Sequence, residues 1–431
     1  MLAEPNFRRL FATRLISQSG DGVFNAGLGT YVFFNATTFP DPAAAAVAFA
    51  VLYLPYSLIG PFAGVFIDRW SRRQILVWSA LLRAAGVAVA AVFVAAGALG
   101  LPLYVSALVV LGVNRFFLSG LSAATPHVVP ADKLVIANSV APTAGTILAF
   151  VGGITGVGVH LITGGGQGGS AITLLCGGLL YLAAGLVATR IPAGLLGPQR
   201  AAGSGSQGVA RGLRAVAAGL AAGGRHIRQR RPAAAALLAT GCHRFVYGIL
   251  LLMSILLYRN YFYRGASGNT ALRHYLVVVI ASAAGYGLAA LITPAATRRL
   301  TTAGWVTVLL AAGGILTGLL GASFTQVGFA VAGLALGVVA QGLAICTVTI
   351  LQQESDDEFL GRVFSLNDMV YNTAFVLGAL FSALFMPADG KSAALLAVVT
   401  AGYLIAAAAY RLTSRQAPGR QAPGRQGPGG G

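Results

Sequence analysis

Apolar positions along this chain gather into runs long enough to cross a bilayer, separated by short polar turns. An α-helix rises 1.5 Å per residue, so roughly 20 mostly apolar residues span a hydrocarbon core of about 30 Å. Runs of that kind occupy 11–36, 43–67, 75–97, 103–129, 134–162, 171–190, 232–258, 273–296, 304–321, 325–351, 361–386 and 391–411. The pattern predicts an all-α membrane protein of twelve transmembrane helices. Between the sixth and seventh runs the apolar pattern lapses over 191–231, a stretch rich in Gly, Ser, Gln and Arg. It reads as a flexible basic linker leading into an amphipathic surface helix. The expected organisation is a six-helix bundle over 1–190, the linker 191–231, a second bundle over 232–411, and a disordered low-complexity tail over 412–431.

Composition supports this solvent assignment. Hydrophobic residues make up 56% of the 431 and charged residues only 9%, with a mean hydropathy of +0.77. A soluble domain carries roughly 25% charged residues. The first apolar run follows a short polar segment without a small-residue cleavage site, so it is expected to be retained.

A formal charge of +18 raises nucleic acid as a partner, and the placement of the cations argues against it. With the N-terminus in the cytoplasm, 22 of the 29 Lys and Arg fall in cytoplasmic segments. That is the bias expected when basic loops resist translocation. Both termini are therefore expected inside, in the inner membrane of a bacterial cell. Cys176, Cys242 and Cys346 all lie in apolar stretches, and their spacing suggests neither a disulfide framework nor a zinc site. No cofactor is called for, and a monomer is expected.

The six-plus-six division prompts a search for an internal repeat. A displacement of 221 residues aligns Arg9 with Arg230, Gly20 with Gly241 and Phe24 with Phe245, and sets Asp21 opposite Cys242. Two pseudo-symmetric bundles are expected, each opening with a helix that carries an ionisable group at mid-depth.

Ionisable residues at bilayer depth cost roughly 2.5–3.5 kcal/mol on insertion scales, so they face a cavity or a partner. Asp21, Arg83, Arg115, Arg244 and Asp368 lie at such depths. Helical spacing groups four of them with other polar residues. Arg14, Gln18, Asp21, Asn25 and Gly29 form one stripe, and Arg115, Ser119, Ser122 and Pro126 a second. Thr240, Arg244 and Tyr247 form a third, and Ser365, Asp368 and Asn372 a fourth. Asp21 is expected to be the protonatable group, with Arg115 as the cation that holds it ionised when the two are paired. Arg244 and Asp368 are the corresponding pair of the second half. The alternative is that such pairs are structural salt bridges between helices. His127 and His160 are given no special role. His243, beside Arg244, is read either way. Tyr53, Tyr56, Phe116, Phe117, Phe245 and Tyr247 could form an aromatic wall, although helix-spaced aromatics more often pack against neighbours. The acidic run from Glu354 to Glu358 suits the N-terminus of the helix that follows it, with pairing to basic loops as a second role.

Between the second and third runs stands Gly64-Val-Phe-Ile-Asp68-Arg69-Trp-Ser-Arg72-Arg73. This resembles the loop signature of the major facilitator superfamily, Gly-x-x-x-Asp-Arg-x-Gly-Arg-Arg/Lys, with Ser71 in place of the second glycine. Asn6-Phe7-Arg8-Arg9-Leu10, Gly20-Asp21-Gly22-Val23-Phe24 and Leu360-Gly361-Arg362-Val363-Phe364 look like the branch with macrolide-efflux and siderophore-exporter proteins. The resemblance implies the major facilitator fold, with the first, fourth, seventh and tenth helices lining a central cavity and the third outside it. Arg83 is accordingly expected to be structural. It also implies that Gly64, Asp68, Arg69, Arg72 and Arg73 form a conformational latch, the alternative being that the arginines only hold the loop inside. Two exporter features are departed from: Arg115 is followed by glycine only at Gly120, and the Gly-Pro pair of the fifth helix is missing.

These readings converge on a secondary active transporter, with Asp21, Asn25, Arg115, Arg244 and Asp368 on the proton and substrate pathway. Proton-coupled export of a small amphiphilic compound is expected. A proton-coupled importer is the alternative within the fold, and a membrane-embedded lipid-modifying enzyme the alternative outside it. The enzyme would need a clustered nucleophile, acid/base or metal set, and no His-x-x-x-His pair is present; a subunit of an ATP-driven exporter would need a phosphate-binding Gly-x-x-x-x-Gly-Lys-Ser/Thr loop, which is absent from the sequence.

Overall fold

The computed structural model describes residues 4–34, 42–43, 45–50, 71–130, 134–196, 209–356 and 359–415. Their elements are α1 (Pro5–Phe34), α2 (helical at 45–50), α3 (Arg72–Ala95), α4 (Leu101–Ala124), α5 (Leu134–Ile162) and α6 (Gly166–Thr189). The second half follows with α7 (Val209–Gln229), α8 (Arg231–Leu256), α9 (Gly268–Gly321), α10 (Gln326–Glu354), α11 (Leu360–Phe385) and α12 (Ala393–Arg415). Among the described residues there is no β-strand. Nine of these helices are long and apolar enough to cross a membrane. α1 adds a crossing of 30 residues, about 45 Å at helical rise, although its polar stripe lowers its hydropathy.

The eighth and ninth spans expected from the sequence are one continuous element, α9, broken at Thr301, whose φ of 64° lies in the left-handed region. A β-branched residue rarely adopts that conformation, and here it reverses the chain. Trp305 Nε1 donates to Thr293 Oγ1 at 3.2 Å, although twelve residues of straight helix would separate them by about 18 Å. α9 is thus two crossings. α8 continues through a π-helical turn, Leu257–Phe262. Arg259, one residue beyond the seventh apolar run, is buried there.

Each half closes around a glycine crossing. A Cβ on Gly22 of α1 would overlap the Ala149 carbonyl and Gly153 nitrogen of α5, and one on Gly152 would overlap Ser19. In the second half Gly248 of α8 meets Phe375 and Ala379 of α11, and Gly378 meets Phe245. Every member of the second set lies 226 residues beyond its counterpart in the first. Small residues let backbones approach this closely, and the crossing fixes the true register of the repeat. The displacement of 221 read from three identities is therefore off by five at this point, and Asp21 stands opposite Tyr247 rather than Cys242.

The halves meet at one end of the molecule. Asn269 Nδ2 donates to the Gly164 carbonyl at 3.3 Å, and its Oδ1 lies 3.2 Å from His160 Nε2. Phe34 packs on Tyr275 with centroids 5.6 Å apart. The amphipathic α7 lies at the other end, packed along α11 where Gly219 and Gly223 admit Arg362. Arg230, between α7 and α8, donates twice to the Asp356 carboxylate, at 2.8 and 2.7 Å. The acidic run thus pairs with the basic linker.

Candidate functional site

The densest polar cluster lies inside the first bundle. Arg83 of α3 is fully buried (0% exposed), and its Nη1 pairs with Asp21 Oδ1 of α1 at 3.1 Å. The same nitrogen donates to Asn114 Oδ1 of α4 at 2.8 Å, Nη2 donates to Ser17 Oγ at 2.8 Å, and Nε to the Ser79 carbonyl at 3.3 Å. Phe117 and Tyr181 sandwich the guanidinium, each ring centroid 4.2 Å from Cζ. Asp21 is held in turn: Tyr181 Oη donates to Oδ1 at 2.8 Å and Asn114 Nδ2 to Oδ2 at 3.2 Å. A planar cation with five donors suits such a hub, because each hydrogen bond and each ring face offsets part of its desolvation.

Arg83 therefore takes the place expected of Arg115. The third helix does reach the core of its bundle, and the residue read as merely structural is the carboxylate's counter-ion. Asn114, Ser17 and Tyr181 were not singled out from the sequence. Ser17 stands one helical turn before Asp21, which was the available signal. Asn114 adjoins Arg115 and points about 100° away from it around the helix.

The Asp21 side chain remains 14% exposed, on a stripe where Asn25 is exposed, Arg14 and Gly29 are half-buried, and Gln18 packs against Gly145 of α5. Along it Arg14 Nε donates to Gln18 Oε1 at 3.1 Å and Asn25 Nδ2 to the Asp21 carbonyl at 2.8 Å. The α4 stripe of Arg115, Ser119, Ser122 and Pro126 is likewise partly exposed.

Arg244 and Asp368 do not form the pair expected of them. Arg244 is buried, donates through Nε to the Tyr371 carbonyl at 3.2 Å, and stacks on the rings of Tyr371, Phe375 and Tyr247 at 3.9, 4.7 and 5.2 Å. Asp368 is exposed and lies in electrostatic range of Arg115, on the opposite half. His243 Nδ1 is 2.8 Å from the Tyr403 hydroxyl in the core of the second bundle.

Gly64, Asp68 and Arg69 lie outside the described residues, as do Tyr53 and Tyr56. Arg72 donates to the Leu196 carbonyl at 2.9 Å with His127 Nε2 at 3.3 Å, and Arg73 to the Thr189 carbonyl at 2.7 Å. Both brace α3 against the end of α6 within the first bundle. Among the described residues of the expected aromatic wall, Phe117 stacks on Arg83, Phe245 packs on Phe381 at 5.6 Å, and Tyr247 lines a cavity of the second bundle. Among the described residues no group of His, Cys, Asp and Glu could hold a metal ion.

Residues 10–379 match the family model of the Major Facilitator Superfamily. An uncharacterized MFS-type transporter of Mycobacterium tuberculosis is 36% identical over 424 residues, covering 96% of this chain and 92% of the relative, and one of Mycobacterium bovis matches equally. Among solved structures, the nucleoside transporter NupG superposes with a TM-score of 0.67 at 15% identity, over 96% of this chain and all of that one. A bacterial homologue of the iron transporter ferroportin, inward-facing, gives 0.66 at 16% identity, over 95% of this chain and 99% of that one. At such identities the structural likeness speaks to fold alone.

Proposed function

We infer the function from one premise: the chain belongs to the Major Facilitator Superfamily and is a multi-pass membrane transporter. We propose that it exports a small amphiphilic compound in exchange for protons by alternating access, and that Asp21 is the group that takes up and releases the proton.

The observation behind this reading is the asymmetry of one ion pair. The cation is sealed in the bundle while the carboxylate edges onto the partly exposed stripe of α1. Water can therefore reach Asp21 and not Arg83. A proton arriving on Asp21 removes the counter-ion of a buried guanidinium, and an uncompensated buried charge is strongly unfavourable. The hub tying α1 to α3, α4 and α6 loosens, and protonation becomes a change in helix packing. Arg115 and Asp368 face one another across the pathway, while Asn25 and Arg244 border it on α1 and α8. The loop with Gly64, Asp68, Arg69, Arg72 and Arg73 acts as the latch, with Arg72 and Arg73 bracing its end. With the end that carries α7 in the cytoplasm of a bacterial cell, the arrangement opens inward.

The test is accumulation of lipophilic fluorescent compounds in inverted vesicles under an imposed proton gradient. Wild type is expected to accumulate them and Asp21→Asn to lose gradient-driven uptake. Undiminished uptake by Asp21→Asn would remove Asp21 from the mechanism, and accumulation confined to right-side-out vesicles would reverse the direction to import.

A further inference from the structure

A cavity of about 230 Å³ opens inside the second bundle, and among the described residues Phe150 alone reaches it from the first. Among the described residues that line it none is charged. Its polar groups are all hydroxyls, on Tyr247, Ser254, Tyr275, Ser282, Tyr286 and Thr317, set among aliphatic and aromatic side chains. Ser254 and Tyr275 satisfy one another at 3.3 Å. Thr317 does not share in such a bond: it is 1% exposed, and its Oγ1 is buried without a hydrogen-bond partner. Phe150 of α5 meets Tyr286 of α9 with centroids 5.9 Å apart, so the rim spans both halves and its aperture depends on how they sit.

We propose that this cavity is a binding site for an uncharged aromatic or alicyclic molecule whose hydroxyl or carbonyl meets the hydroxyls of the wall, that of Ser282 among them. The absence of a charged lining residue excludes an ionised ligand, whose desolvation nothing in the wall would offset. The size matches: an engineered apolar cavity of about 150 Å³ takes benzene, so this one takes a scaffold of two fused rings. Tyr247 ties the site to the pathway, because its ring lies both in the cavity wall and against the Arg244 guanidinium. The assignment adds a ligand class to the transport reading and is independent of Asp21 as the coupling group.

The probe is 2-naphthol, whose own fluorescence reports binding to the purified full-length protein in detergent against empty micelles, with 2-naphthoate and naphthalene beside it. Wild type is expected to bind 2-naphthol saturably, and 2-naphthoate at least about tenfold more weakly. Ser282→Ala is expected to weaken 2-naphthol by about three- to tenfold, the size of one hydrogen bond, and to leave naphthalene unchanged. Ser282→Phe, which fills the cavity, is expected to abolish saturable binding of both neutral probes. Failure of wild type to bind 2-naphthol, equal binding of the carboxylate, or undiminished affinity in Ser282→Phe would each overturn the assignment. No proton gradient enters this measurement, so its failure leaves Asp21-dependent transport standing, and the reverse holds.

Discussion

The two halves share a backbone device and differ in what they place beside it. Gly22 against Ala149 and Gly153, and Gly248 against Phe375 and Ala379, are the same crossing 226 residues apart. Just before each glycine the chain presents one side chain to the interior. In the first half it is Asp21, in a network with Arg83, Asn114 and Tyr181. In the second it is Tyr247, against an uncharged cavity. One turn earlier, Ser17 donating nothing but accepting from Arg83 is replaced by His243 beside Tyr403. A duplicated scaffold has thus kept its packing and divided its chemistry, with a buried ion pair in one bundle and hydroxyl-lined space in the other.

The largest effect expected from this difference is at Arg83. Arg83→Met strands a buried carboxylate and should lower stability by about 3–5 kcal/mol, read by thermal unfolding in detergent. Arg83→Lys should recover little, because an ammonium cannot fill the guanidinium's place between two rings while reaching Ser17, Asn114 and Asp21. A mild Arg83→Met phenotype would break the comparison at its root. Tyr181→Phe removes one hydrogen bond to the carboxylate and should cost about 1.5–3 kcal/mol by the same measurement. A loss below that range would show that the Asp21 hub does not depend on it. Gly22→Ala and Gly248→Ala sharpen the shared part: each forces a methyl into facing backbone and should cost about 1–3 kcal/mol, the two matching one another. A marked difference between them would end the structural equivalence of the crossings. Asp356→Asn should have the smallest effect. Its bond to Arg230 lies on a carboxylate that is 57% exposed, so at most about 1 kcal/mol is expected, with transport unchanged.

The architecture was largely legible because bilayer thickness imposes length on each apolar run and the cost of moving arginine imposes its placement. The twelve-span pattern and the amphipathic α7 follow from those two constraints. What periodicity could state was which residues share a face of one helix. It could not state which helix lies opposite. Asp21 was therefore matched to Arg115 when its counter-ion is Arg83, and Arg244 to Asp368 when it rests on Tyr371 and Phe375. Asn114 shows the reason at close quarters: beside Arg115 in sequence, it turns into the bundle toward Arg83 while its neighbour lies in electrostatic range of Asp368 on the other half. The repeat register failed for a related reason. Chance identities guided it, whereas close backbone approach at glycines is what the halves preserve.

The contrast between the buried ion pair of the first half and the uncharged cavity of the second turns on whether Asp21 changes protonation during the cycle. Infrared difference spectra of wild type against Asp21→Asn, recorded with the pathway trapped open to either side, read that carboxyl directly. A protonated Asp21 carboxyl band present in one trapped state and lost in the other is the expected result. An Asp21 that stays ionised in both states would contradict it and leave the Arg83 hub a structural clamp.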